Sequence, residues 1–486
     1  MIALLRSPRG GDVVALLLGA VLPLAFAPFD LWPLAILSPA GLFLLWRDCD
    51  ARGGFRRGWL FGFGMWGAGV YWIYHSLHLF GDAIAPIAAV LTVVFAAGMA
   101  VTLGVLGALV CRVDTMRRNA AWLLVTLPAA WIALEWVRSW LLTGFPWLLL
   151  GTAGLETWLS GYLPVVGVYG TGLLFALGAG SLAALVPSAT RRAGIAVVVA
   201  LLVAWAGGAV LQGRDWTRPG GPPVAVALLQ GNIDQTRKFN TLAGTMDYYT
   251  DTTRAIADEV GLVLWPETAI PTFYTRIDER MNAFAREMAA RNTEVVTGVF
   301  VYDDGTGRYY NSIRPLGPDR DDYRKQHLVP FGEYMPLRPL LKWAEQYIRI
   351  PMSDIAPGEA EQPPLRVGGY ALSASVCYEA AYPGTIRRLA RGSGILVNVS
   401  NDAWFGDSTA PFQHLQLARV RALENGRPML RATNTGISAV IGPHGDIVAT
   451  TPQFEAGTVR ASVRPRWGET PWMRWGSWPA LAVIVA

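Results

Sequence analysis

The chain has 486 residues, 52% of them hydrophobic and only 16% charged, with twenty tryptophans. Soluble domains average about a quarter charged residues, so this composition argues against a wholly soluble protein. The net charge of +5 divides into +4 for residues 1–212 (twelve arginines, no lysine, eight acids) and +1 for the rest (29 bases, 28 acids). The more polar half therefore has no basic footprint for nucleic acid.

From the N-terminus, apolar stretches at 11–28, 31–46, 57–78, 84–111, 119–138, 160–187 and 194–212 have the pattern of membrane spans. The first is too long, and too closely followed by the second, for a cleaved signal peptide. These stretches predict a polytopic α-helical membrane domain of about seven helices over 1–212. Arginine placement orients it. With the N-terminus cytoplasmic, that side holds eleven arginines, from Arg6 to Arg192, against Arg138 alone on the other. Seven spans then place the domain from about 220 to 470 outside the cytoplasm. A last apolar run predicts the start of a C-terminal transmembrane helix over 471–486.

Within the membrane half, Glu135 and Arg138 share one helix face. They read either as an interfacial ion pair or as a contact for a lipid headgroup. Gly144 and Pro146 interrupt residues 141–151, "LLTGFPWLLLG", as in a short re-entrant segment. His75 and His78 read as interfacial, since nothing pairs with them at metal-ligand spacing. No metal site is expected.

Beyond residue 220, short β-rich runs alternate with helical patterns, as in a layered α/β domain. Strands are predicted over 223–231, 262–267, 294–302, 309–317, 371–379, 394–402 and 436–445, and helices over 242–260, 279–292, 383–391 and 411–425. Three strand ends carry reactive groups: Glu267, Cys377 and Asn401.

Glu267 follows an apolar strand and a Trp-Pro pair. Stiff backbone there would hold a partly desolvated carboxylate, suited to a general base, although a cap would use the same residue. Lys325 is one of only three lysines among 41 basic residues. A compact ammonium can stabilise an oxyanion or lower a thiol's pKa, while a solvated surface lysine is the plainer alternative. Cys377 is the only cysteine of the external half, with Cys49 and Cys111 on the cytoplasmic side, so it has no intrachain disulfide partner. An unpaired external thiol signals reactivity, against the simpler role of a buried structural cysteine.

In that order, Glu267, Lys325 and Cys377, carried by "WPE", "RKQHLVPFGEY" and "CYE", resemble the Glu-Lys-Cys triad of the nitrilase (carbon–nitrogen hydrolase) superfamily over roughly 223–465. The multi-spanning half, "GFPW" and "QGNI" narrow the resemblance to the apolipoprotein N-acyltransferase family. It implies an αββα nitrilase-like sandwich in the periplasm, carried by an eight-helix domain in the inner membrane of a Gram-negative bacterium.

The resemblance also implies ping-pong acyl transfer from a phospholipid to the diacylglyceryl-cysteine of an apolipoprotein through a Cys377 thioester, with no cofactor. Glu267 would be the base and Lys325 the oxyanion stabiliser. Glu333, Glu379, Tyr378 and Asn311 would support them. The run "VSNDAWFG", with Trp404, resembles a pocket element. Phe239 stands where the family often has tryptophan. Leu340, Trp343, Ile350 and Met352, in the proline-rich segment 328–363, would admit acyl chains or else pack on the core. Two other readings remain open here: a membrane-tethered amidase using the same triad, and a transporter or scaffold with an inert external domain.

Overall fold

The computed structural model describes residues 8–112, 119–234, 242–330, 332–334 and 355–485. Phe239, Leu340, Trp343, Ile350 and Met352 lie outside the described residues. The chain forms two compact units. One comprises Met1–His78, Ala83–Arg214 and Arg474–Ala486, the other Leu79–Asp82 with Asp215–Met473.

The first unit is helical: α1 (Pro8–Val21), α2 (Leu34–Trp46), α3 (Ala51–Gly69), α4 (Ala85–Val110), α5 (Leu127–Arg138), α6 (Leu163–Leu185) and α7 (Arg191–Gln212). Asp50 caps α3 by accepting from the Gly53 N–H at 2.8 Å. Helices α3 and α4 cross where Gly54 meets Gly107, and a Cβ on either would strike the other's carbonyl oxygen. Such small-residue contacts replace the missing hydrophobic drive between helices in lipid. Among the described residues, three helical stretches are long and apolar enough to cross a membrane: Ala85–Val110, Trp158–Leu185 and Arg191–Gln212.

Glu135 and Arg138 are both buried. The Glu135 carboxylate accepts from the Trp131 indole and the Leu150 N–H, each at 3.0 Å, and the Arg138 guanidinium lies 4.6 Å over the Trp66 ring. The stretch broken at Gly144 forms two 3₁₀ turns, Leu141–Thr143 and Leu150–Gly154, and Glu135 ties the second to α5.

Among the described residues, the second unit carries fourteen strands. They are β1 (Arg218–Pro219), β2 (Val224–Gln230), β3 (Leu262–Leu264), β4 (Glu294–Asp303), β5 (Arg308–Pro315), β6 (Tyr323–Arg324) and β7 (Leu365–Val367). Then come β8 (Tyr370–Val376), β9 (Ile395–Ser400), β10 (Met429–Thr433), β11 (Ala439–Ile441), β12 (Ile447–Thr450), β13 (Gly457–Val463) and β14 (Arg466–Trp467). Two six-stranded sheets result, β6-β5-β4-β3-β2-β13 and β12-β11-β10-β9-β8-β7. In those orders both run antiparallel, antiparallel, parallel, parallel, antiparallel.

Helices α8 (Leu242–Ile256) and α9 (Asp278–Ala289) bury Met246, Tyr249, Met281 and Phe284 against Val263, Trp265 and Val299 of the first sheet. Helices α10 (Pro383–Leu389) and α11 (Ala410–Asn425) bury Ile386, Leu415 and Ala418 against Leu396, Met429 and Ile441 of the second. Gln230 at the end of β2 joins the sheets. Its Oε1 accepts from Ser438 Oγ at 2.6 Å and Thr451 Oγ1 at 2.8 Å, and its Nε2 donates to Pro452 O at 2.7 Å. A fully partnered buried amide of this kind fixes register as well as contributing stability.

The strand expected over 371–379 stops at Val376, and Cys377 opens a 3₁₀ turn, Cys377–Ala381. Strands β10 and β13 are absent from those expected, as are the short strands β1, β6, β7, β12 and β14. A buried Arg431 breaks the apolar run of β10, and β13 buries only Val459 and Val463.

Candidate active site

Glu267 stands on the loop that leaves β3. The loop runs against β4, where Trp265 N donates to Val296 O at 2.8 Å and Ala269 N to Gly298 O at 3.0 Å. A Cβ on Gly298 would lie 2.6 Å from the Glu267 Cα, so this close approach requires glycine. Thr268, next in the chain, has φ +48°, a left-handed conformation that stores strain beside the carboxylate.

Two neighbours share that carboxylate. Asn311 Nδ2, on β5, donates to Glu267 Oε1 at 2.7 Å, and Lys325 Nζ lies 3.8 Å from the same oxygen. Lys325 donates to Glu333 Oε1 at 2.8 Å, and the Val329 N–H holds Glu333 Oε2 at 2.8 Å. Lys325 is 1% exposed. Burial opposes its charge, but Glu333, then Glu267 and Cys377, outweigh it and hold the ammonium well above the ordinary lysine range.

Cys377 enters from the other sheet, at the end of β8, with φ +52°. Burial, then the Glu267 carboxylate, push its thiol far up, against the opposing pull of Lys325. The resting sulfur is therefore protonated. Two carboxylates already share one ammonium here, and a resting thiolate would add a further buried negative charge.

Glu379 ties the two halves together. Its carboxylate accepts from the N–H groups of Val376 (2.7 Å), Gln326 (2.7 Å) and His327 (3.1 Å), and from the Tyr323 hydroxyl at 2.9 Å. One side chain thus fixes both the Cys377 turn and the Lys325 segment. Tyr378 meets Tyr382 edge-on at 5.1 Å, and Tyr382 stacks on His327 at 4.0 Å. Burial, then Arg388 and Lys325, push His327 down to about 4. Trp404, in the turn after β9, packs against Phe80 at 4.8 Å.

The structure thus brings Glu267, Asn311, Lys325 and Glu333 into one hydrogen-bonded cluster, with Cys377 in electrostatic contact with Glu267 and Lys325. It adds residues not foreseen individually. Behind Cys377 lie His414, Arg431 and Asn398, with Ser400 and Asp402 of the "VSNDAWFG" run, all fully buried. The available signals were an arginine inside an apolar run and a histidine within a helix, one of five in the chain.

Residues 18–181 match the sequence profile of the apolipoprotein N-acyltransferase N-terminal domain, and 225–471 that of carbon-nitrogen hydrolases. The apolipoprotein N-acyltransferase of Pseudomonas aeruginosa is 43% identical over 477 residues, covering 96% of this chain and 93% of its own. The chain belongs to the apolipoprotein N-acyltransferase family. The family's Coxiella burnetii protein is 39% identical and covers 98% of both chains. As a member of the apolipoprotein N-acyltransferases, the protein is an acyltransferase with a carbon-nitrogen hydrolase domain. Among solved structures, Saccharomyces cerevisiae Nit3 of the nitrilase superfamily is 20% identical, with a TM-score of 0.37 over 50% of this chain and 90% of its own.

Proposed function

We propose that the protein N-acylates the amino-terminal diacylglyceryl-cysteine of apolipoproteins, with a phospholipid as donor and Cys377 as the acyl carrier. The observation that carries this reading is a buried cysteine in electrostatic contact with a carboxylate and an ammonium that are themselves held in place.

In the first half-reaction Glu267 takes the thiol proton as sulfur attacks the sn-1 ester carbonyl. Lys325, anchored by Glu333, stabilises the oxyanion. The C–O bond breaks, the alkoxide recovers the proton from Glu267, and a lysophospholipid leaves. In the second, the acceptor's α-amine attacks the thioester. Glu267 accepts a proton from nitrogen, the C–S bond breaks, and the sulfur regains a proton.

Phe300, Leu328 and Ile355, packed with Phe273, Tyr309 and Tyr334, form an apolar cluster on the segments that also carry Asn311, Lys325 and Glu333, which suits a lipid acyl chain. Asn311 orients Glu267, Glu379 sets the turn, and Tyr378 lies beside the sulfur. Phe239, Leu340, Trp343, Ile350, Met352 and Trp404 would guide substrate entry. The arginine distribution favours a catalytic domain outside the cytoplasm, and family membership suits the inner membrane of a Gram-negative cell, with that domain periplasmic.

The test incubates purified protein with 1-palmitoyl-2-oleoyl phospholipid in mixed micelles and measures peptide masses. A hydroxylamine-sensitive palmitoyl adduct on Cys377, discharged by a diacylated lipopeptide, is expected. No adduct during turnover would overturn the thioester route. Discharge by water at the same rate would mark a hydrolase.

A further inference from the structure

The charged groups behind Cys377 have no part in the proton transfers described above. Asn398 and Ser400 come from β9, Asp402 from the turn after it, Arg431 from β10 and His414 from α11, and each is fully buried. They converge on one backbone atom. The Cys377 carbonyl accepts from His414 Nε2 at 3.0 Å and from Asn398 Nδ2 at 3.3 Å.

The protonation of His414 follows from its partners. A carbonyl only accepts, so Nε2 carries the proton. On the other side, Arg431 Nη2 lies 3.0 Å from Nδ1 and Asp402 Oδ1 3.1 Å from it. Arg431 Nη2 also donates to Asp402 Oδ2 at 2.8 Å, Ser400 Oγ donates to Asp402 Oδ1 at 2.7 Å, and Arg431 Nη1 donates to Asn398 Oδ1. Burial, then the adjacent guanidinium, keep His414 below its ordinary range, with Asp402 opposing them. Burial and the guanidinium thus favour the neutral ring, in which Nδ1 can accept from Arg431.

A trans peptide is planar, and its carbonyl and N–H point in opposite directions. Holding the Cys377 carbonyl toward His414 therefore fixes the direction of the Tyr378 N–H, the first backbone donor after the nucleophile. Cys377 itself sits at φ +52°, a left-handed conformation uncommon for a non-glycine residue.

We propose that His414, set by Arg431 and Asp402, is a positioning residue that orients the Cys377–Tyr378 peptide so that the Tyr378 N–H serves, with Lys325, the oxyanion formed when Cys377 is acylated. The proposal rests on the acyl-carrier reading of Cys377.

Two reactions of the same sulfur separate this role from general support of the fold. Acylation by an ester passes through an oxyanion, whereas alkylation by iodoacetamide displaces iodide and forms none. In the full chain, His414→Leu removes the donor to the carbonyl. The expected result is a fall of about 100-fold or more in palmitoyl-adduct formation, the scale of losing one oxyanion donor, with alkylation of Cys377 within about threefold of wild type. The fall should lie in kcat rather than KM. His414→Gln places an amide N–H where Nε2 stood and should recover most of the acylation rate.

Unchanged acylation in His414→Leu overturns the proposal, and so does an equal fall in acylation and alkylation. Should His414→Leu fail to fold, His414→Gln and His414→Asn decide. The shorter asparagine does not reach the carbonyl, so equal acylation rates overturn the proposal. A wild-type protein that forms no adduct would instead remove the acyl-carrier reading, a separate outcome visible before any variant is made.

Discussion

The two six-stranded sheets share a strand plan but contribute opposite kinds of chemistry to Cys377. The sheet from β6 to β13 supplies Glu267, Asn311 and, just past β6, Lys325, with Glu333 following: two carboxylates around one ammonium. The sheet from β12 to β7 supplies Cys377 itself, backed by Asp402 and Arg431, whose charges cancel, and by His414. The first cluster has a carboxylate able to take a proton from its neighbour. The second has matched charges joined by several buried hydrogen bonds, so it holds geometry. Burial is near complete on both sides, so charge matching, rather than depth, separates proton transfer from positioning.

Substitutions can break or sharpen that contrast. Cys377→Ala should abolish adduct and turnover while leaving the melting temperature almost unchanged, as mass spectrometry and thermal denaturation in detergent would show. Glu267→Gln keeps an acceptor for Asn311 but removes the base. It should cut turnover by about 100- to 10,000-fold, with adduct formation the affected step.

Arg431→Met tests the other side. It strands a buried Asp402, so a stability loss of about 3–5 kcal/mol is expected in denaturant titration, a cost absent from Glu267→Gln. Equal stability of the two variants would erase the distinction between the clusters. Gly298→Ala pushes the Glu267 loop without touching the rear cluster. About 1–3 kcal/mol of overpacking and a kcat loss larger than any change in KM are expected.

The smallest effect concerns pH. His327 is neutral in the fold, its pKa pushed down to about 4 from an ordinary 6.5. As pH falls the unfolded chain takes the proton first, so this contribution is intact above 6.5 and is lost progressively toward about 4. Wild type should lose at most about 3 kcal/mol more stability than His327→Gln across that window, read from melting curves at several pH values. Parallel curves would show that burial of the ring carries no such penalty.

Much of the site was legible because its residues sit in short local motifs. "WPE" places an acid after a β-strand, "RKQH" carries a rare lysine, and "CYE" carries an unpaired thiol. Glu333 and Glu379 were visible as motif members, but not the details of their work. Only the fold shows Glu379 gathering three backbone N–H groups and the Tyr323 hydroxyl from two separate segments. Gly298 gave no usable signal, and the one from His414 was weak. A glycine in a strand and a histidine in a helix each have many ordinary explanations.

Sequence alone determined the membrane-like composition of the first 212 residues, the alternating α/β pattern after them, and the short motifs that single out Glu267, Lys325 and Cys377 as candidates, since each depends on residues near one another in the chain. Only the tertiary structure decided that β8 ends one residue before Cys377, that Lys325 lies between two carboxylates, and that Asp402, His414 and Arg431 stand behind the nucleophile. Those facts depend on where separate strands bring their ends together. Hydropathy and periodicity report which face of an element is buried, and carry no information about which distant polar group it will meet there.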